Sequence, residues 1–149
     1  PAYVNLADLY RVQGRDDEAE RVLRDGLRLA GDHASLRHAL GLTLVRRRQL
    51  PAALEQFAAA TRLAPDDTRF AYVYAVALHS AGRTGAALRE LDRALDRRAD
   101  DRDLLMAATT YGGAATGEKY ARRLAERYRG DPAVAQFLVE WSHEGPPPP

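Results

Sequence analysis

Apolar positions along the chain recur with two nested periods. The short one is helical. Leu6, Leu9 and Tyr10 fall at i, i+3 and i+4, and Leu88, Leu91, Ala94 and Leu95 repeat the outline. The long period is 34 residues. Ala19 returns as Ala53, Ala87 and Ala121, Leu23 as Phe57 and Leu91, and Gly26 as Ala60 and Ala94. Ala7 returns as Gly41 and Ala75, Leu6 as Leu40 and Tyr74, Tyr10 as Leu44 and Leu78, and Gly14 and Gly82 stand one step either side of Arg48. Small residues hold some columns and large apolar residues hold others, all in one phase, which chance does not supply.

Each period reads as two helices. Gly14 and Gly82 end the first helix of their repeats, as helix C-termini prefer. Asp16 and Asp17 open a second helix with favourable charge. Pro51 sits in the first turn of its helix, where a missing N–H is harmless, and Pro65 stops that helix so that Asp66 or Asp67 caps the next. The stretch "PAALEQFAAATRLAPDD" carries alanine where an ordinary core would carry Leu or Ile. Small columns of this kind fit places where two helices cross closely, since a larger side chain there overpacks by about 1–3 kcal/mol.

This pattern resembles the tetratricopeptide repeat family over nearly the whole chain. The first repeat is 2–33, with Leu6, Ala7, Tyr10, Gly14, Ala19, Leu23 and Gly26 in the family's signature places. The second is 34–67, with Leu40, Gly41, Leu44, Ala53, Phe57, Ala60 and Pro65. The third is 68–101, with Tyr74, Ala75, Leu78, Gly82, Ala87, Leu91 and Ala94. The resemblance implies an all-α fold, a right-handed superhelical solenoid of antiparallel helix hairpins. A fourth repeat, 102–131, starts well at "RDLLMAATTY" and then meets Gly112-Gly113; its closing turn "RGDP" comes about four residues early. It reads as shortened by one helical turn, with a loop near Gly112–Gly117. The segment 132–143 reads as a final helix behind Asp131, with Val134, Phe137, Leu138 and Trp141 on one stripe. That stripe covers the open end of a repeat stack or docks a partner. Residues 144–149 are a proline-rich tail.

Composition then narrows the function. Hydrophobic residues make up 46% and charged residues 29%; 22 basic side chains face 21 acidic ones. That balance argues against a dedicated nucleic-acid binder or an anionic-membrane binder. There is no cysteine, so disulfides, thiolate metal sites and covalent haem are absent. No apolar run approaches the roughly 18–20 residues of a membrane span. The chain begins at Pro1 rather than Met, so its ends say nothing of compartment.

The resemblance implies a concave groove lined by the first helix of each repeat. Carried over by residue, its lining is Val4, Asp8, Arg11 and Val12; then Ser35, His38, Leu42, Val45 and Arg46; then Arg69, Tyr72, Val76, His79 and Ser80; then Asp103, Met106 and Thr110. A mixed apolar and polar stripe either binds a peptide or covers neighbouring helices. The Lys/Asn/Arg clamp by which some family members hold chaperone tails is missing, with Val4, Asp8, Ala39, Tyr72 and Val76 in its places. Arg46-Arg47-Arg48 sits at a helix end, where cations complement the dipole; a contact to an acidic ligand is the other reading. His33 and His38 lack a third ligand at metal-site spacing, His79 and Ser80 point apart on a helix, and no phosphate loop is present.

The expected function is a non-enzymatic scaffold without cofactor that takes a protein or peptide in its groove. The alternative is a structural array for self-association or docking to a neighbouring domain. Tyr3, Leu6 and Tyr10 of the first repeat are the expected self-association residues, giving a homodimer. A narrower resemblance, in "PAYVNLADLYRVQGRDDEAERVLRDGL" and "RFAYVYAVALHSAGRTGAALREL", is to the C-terminal arrays of bacterial multihaem cytochrome c proteins. It implies a periplasmic parent; without it the expected compartment is the cytoplasm.

Overall fold

The turns between paired helices come first, because they repeat most faithfully. In a computed structural model, which describes residues 1–144, α1 (Ala2–Val12) ends on Gly14 with φ +74°. The Arg15 amide donates to the Tyr10 carbonyl at 2.8 Å and the Gly14 amide to the Arg11 carbonyl at 3.0 Å. This paired closure satisfies carbonyls that a helix end leaves open. The same closure follows α3 (Ala34–Arg46), from Gln49 to Leu44 at 2.9 Å and from Arg48 to Val45 at 3.0 Å. It follows α5 (Thr68–Ser80) too, from Arg83 to Leu78 and Gly82 to His79, both at 2.9 Å. Arg48 therefore takes the left-handed place of the glycines, at φ 59°.

The second helices are α2 (Asp16–Ala30), α4 (Leu50–Leu63) and α6 (Thr84–Arg97). None of the three begins with a side-chain cap. In α2, Asp16, Asp17 and Glu18 stand in the first turn and complement the dipole instead; in α4, Pro51 occupies the first turn. The same holds for α1 and α3, whereas other, later helices are entered behind a capping Asp. Asp67 accepts from the Arg69 amide at 3.1 Å, Asp101 from the Leu104 amide at 3.0 Å, and Asp131 from the Ala133 amide at 2.9 Å. Of the two residues open to cap α5, Asp67 is the one that does so.

The contacts group the chain into two compact bodies, Pro1–Ala77 and Leu78 onward. In the first, α1 pairs with α2, α3 with α4, and α3 also packs on α1 and α2. Its core joins Ala7, Ala19, Leu23, Leu36, Ala39, Leu40, Leu44, Ala53, Phe57 and Ala77. The small columns sit at close crossings, as their residue type demands. A Cβ on Gly41 would lie 2.4 Å from the Phe57 ring, and one on Gly26 would lie 2.9 Å from the Tyr3 ring.

In the second body α6 packs on α7 (Arg102–Arg127), and α7 on α8 (Pro132–Glu144). The helix α7 is broken at one residue, Gly113, whose φ of 57° and ψ of −152° only glycine adopts readily. Beyond it the chain doubles back: Gly117 lies against the Thr109 carbonyl, and Arg102 reaches Asp131 at 3.4 Å. The loop expected over Gly112–Gly117 is thus one non-helical residue, and Ala114–Gly117 are already helical. Two adjacent glycines let the reversal be that tight, since a Cβ on Gly112 would sit 2.7 Å from the Gly117 nitrogen. The returning arm is fastened to α6 by Tyr120, whose hydroxyl donates to Asp92, and to the turn after α6 by Arg123, which donates to the Ala99 carbonyl at 2.6 Å. Val134 of α8 is buried, and Trp141 closes over Gly117. The tail from 145 lies outside the described residues. Among the described residues no helix is long and apolar enough to cross a membrane.

Candidate interaction surface on the first helices

An α-helix in a globular protein usually buries one stripe and leaves the other polar. In the first body α3 departs from this. It buries Leu36, Ala39, Leu40, Gly41, Thr43 and Leu44. Leu42, half-buried and packed against the same core, and Val45, 43% exposed, then place apolar residues on the remaining side. Thr43 is tolerated in the core because its hydroxyl donates to the Ala39 carbonyl at 3.0 Å.

Around α3 the expected groove residues take different stations. Val4 packs into the core, and Val12 is 86% exposed. Asp8 and Arg11 pair with each other. Ser35, Tyr72 and Val76 are half-buried, and Arg69 extends into solvent while its guanidinium holds Asp67 at 2.9 Å. That bond keeps the Asp67 carboxyl below the usual carboxylate range. His38 is turned inward rather than presented: its ring lies 4.6 Å from that of Phe70 and 5.6 Å from that of Phe57. Its buried Nδ1 has no hydrogen-bond partner. Burial lowers its pKa below the ordinary histidine value, with Asp67 opposing and Arg11 and Arg69 adding to the effect.

The basic run is a joint between hairpins. Arg46 reaches Asp16 at 2.9 Å, and Arg47 reaches Asp17 at 2.8 Å and Glu20 at 3.1 Å. The end of α3 is thereby tied to the start of α2. The signal was present in the sequence as an acidic triplet one helix upstream, and only the crossing of α2 over α3 makes it readable.

In the second body His79 stacks on Tyr111 with ring centroids 4.1 Å apart and planes 17° apart, and its Nδ1 meets the Thr84 hydroxyl at 3.0 Å. Tyr111 escaped the sequence reading because its partner lies 32 positions back. Met106 is half-buried, while Ser80, Asp103 and Thr110 are exposed, Thr110 bonding back to the Met106 carbonyl at 3.1 Å. Among the described residues no three His, Cys, Asp or Glu side chains gather as metal ligands.

The α1 flank differs from expectation in its membership. Leu6 is 41% exposed, but Tyr3 packs against Gly26 and Tyr10 lies against the core under the Arg15 guanidinium. The exposed apolar neighbour of Leu6 is Leu9, at 53%. Tyr3 and Tyr10 follow the helical stripe facing α2, and Leu9 does not.

Two tetratricopeptide repeat profiles match the chain, one over residues 1–43 and one over 38–103. Among solved structures, YrrB, described as a TPR protein with an unusual peptide-binding site, aligns with 93% of this chain and 73% of its own, at 20% identity and a TM-score of 0.75. PilF of Pseudomonas aeruginosa aligns over 96% and 67%, at 20% identity and a TM-score of 0.76. MamA of Desulfovibrio magneticus RS-1 aligns over 96% and 83%, at 18% identity and a TM-score of 0.73. At such identities the likeness is one of fold. A sequence comparison with curated proteins gave no match. None of these comparisons supports the multihaem cytochrome parentage.

Proposed function

The chain belongs to the tetratricopeptide repeat family, a family of protein-interaction scaffolds, and from that premise we propose that the first-helix face of α1, α3 and α5 binds a peptide or protein segment. One observation carries the reading. Apolar residues of the central helix α3 continue past its buried stripe, and beside the half-buried Leu42 the side chain of Val45 stays exposed. An apolar surface left open beside a buried stripe suits a ligand.

The rim suits a mixed segment. Asp8, Arg11, Arg46 and Arg69 supply charge, and Tyr72 supplies a half-buried ring with a polar tip. The peptide-binding site ascribed to YrrB supports a peptide as the class of occupant. The fold is typically a non-enzymatic scaffold, and binding rather than turnover is the activity proposed.

Selection from a displayed random-peptide library tests this. Peptides that bind the chain should lose at least about tenfold in affinity to Val45→Glu with Tyr72→Ala, a difference of about 1.4 kcal/mol. They should bind Arg89→Glu, on the exposed side of α6, unchanged. Peptides that bind all three proteins alike would overturn the assignment of the face.

A further inference from the structure

The Nδ1 of His38 is buried without a hydrogen bond, in a slot between the Phe57 ring at 5.6 Å and the Phe70 ring at 4.6 Å. A neutral imidazole can stay there, with its proton on Nε2 and a bare acceptor at Nδ1. A protonated ring stays only at a cost. It would carry an N–H with no acceptor, and a charge between two apolar rings.

The groups around the slot do not answer that charge. Asp67, the cap of α5, faces it, but its carboxylate is already held by the Arg69 guanidinium at 2.9 Å and the Arg69 amide at 3.1 Å. From α1 comes Arg11, paired with Asp8, and from α4 the Phe57 ring. Helix α2 meets α3 with Asp16, Asp17 and Glu20, and these are held by Arg46 and Arg47, about two turns further along α3. On α3 itself Arg37 is held by Asp32 at 2.7 Å. Arg11 and Arg69 oppose a proton on His38, while Asp67 favours it.

The slot is continuous with the first-helix face. His38 lies one helical turn before Leu42 and two before Val45, on one stripe of α3. Phe70 stands in the first turn of α5, and Tyr72 follows on the same helix. The contact between the His38 and Phe70 rings therefore helps to set how Tyr72 stands beside Leu42 and Val45.

We propose that His38 is a proton-operated catch for this face: the neutral ring holds the face in its binding form, and protonation drives the ring from the slot and releases the peptide. This rests on the reading of the face as the binding surface. By linkage the peptide must in turn hold the proton off, so the His38 ring titrates at lower pH in the complex than in the free chain.

Peptides selected on the full chain near neutral pH, free of Asp, Glu and His and blocked at both ends, test it, because they do not titrate in the range used. Between about pH 7.5 and about pH 4.5, above the range of Asp67, the wild type should lose at least about fivefold in affinity at unchanged helicity. His38→Phe, which fills the slot without titrating, and His38→Gln should lose less than about twofold. Both variants keep His33, His79 and His143, so a loss due to those would appear in them too. Ring resonances of His38 in the wild type, followed by NMR, should titrate at lower pH with peptide than without, a measurement that needs no variant. No loss in the wild type, equal losses in wild type and variants, or a His38 titration unmoved by peptide would each overturn the catch. Peptides indifferent to Val45→Glu with Tyr72→Ala would instead show the face itself to be misplaced, and the catch would fall with it.

Discussion

Arg48 holds a left-handed backbone at φ 59° where its counterparts, one period either side, are Gly14 and Gly82. An L-residue in that conformation is disfavoured by roughly 1–2 kcal/mol, and glycine is not, although glycine gains freedom in the unfolded chain. Arg48 is exposed, so little packing is lost with it. Arg48→Gly should therefore raise stability by about 0.5–1 kcal/mol in urea denaturation, whereas a loss would mean that the side chain does more than tolerate its turn. His38 leads to a prediction in pH. Burial between Phe57 and Phe70 depresses its pKa, so the folded chain binds this proton less readily than the unfolded chain does. Its contribution is complete above the ordinary value of 6.5 and shrinks as pH falls below it. Asp67, also depressed, acts only as pH falls towards 3.8 and lower, so the two ranges separate. Between pH 7 and pH 5 the wild type should lose more stability than His38→Phe, and parallel curves would show that His38 is solvated. At this scale the sequence was legible where backbone geometry dictates the residue, as at Gly14, Gly82 and the cap Asp131, and at α5 as far as the pair Asp66 and Asp67. It was not legible for the His38 and His79 stacks, because their partners Phe70 and Tyr111 meet them only through the fold.

The helices themselves were legible because apolar spacing and turn chemistry agree on them, and the least legible element was the fourth hairpin. Gly112-Gly113 marked a break, but propensity alone favours a loop over the run to Gly117. The structure contracts that loop to Gly113, since Gly117 must lie against Thr109 for the arms to close. Gly113→Ala should then destabilise the chain by about 1–3 kcal/mol, the strain of a conformation foreign to an L-residue. Gly85→Ala, in a helix with only the tip of Arg89 near by, at 3.7 Å, should do the reverse and stabilise by roughly 0.5–1 kcal/mol. Thermal melts of the two variants check the signs, and a neutral Gly113→Ala would move the reversal elsewhere. The Arg46–Arg47 joint belongs to this scale as well. Its guanidiniums are partly exposed, so each pair contributes at most about 1 kcal/mol. Its larger effect is to fix how α3 meets α2, and a basic run read in one dimension looks only like a charged helix end.

For the whole molecule, repetition made the family legible: one interval, kept through seven columns, both predicts paired helices and tells which positions must stay small. The use of the surface is less legible, because a first-helix residue that lines a groove and one that covers its neighbour carry the same side chains. Val4 and His38 turned inward, while Val12 and Val45 stayed out, and sequence phase did not separate them. The central claim is that the outer side of α3, with α1 and α5, is where ligand meets this chain. Amide chemical-shift mapping with a library-selected peptide tests it most directly. The account predicts shifts centred on Leu42, Val45 and Tyr72, with Arg24 of α2 and Glu55 of α4 unmoved. Shifts centred on Arg24 and Glu55, with Val45 silent, would contradict it.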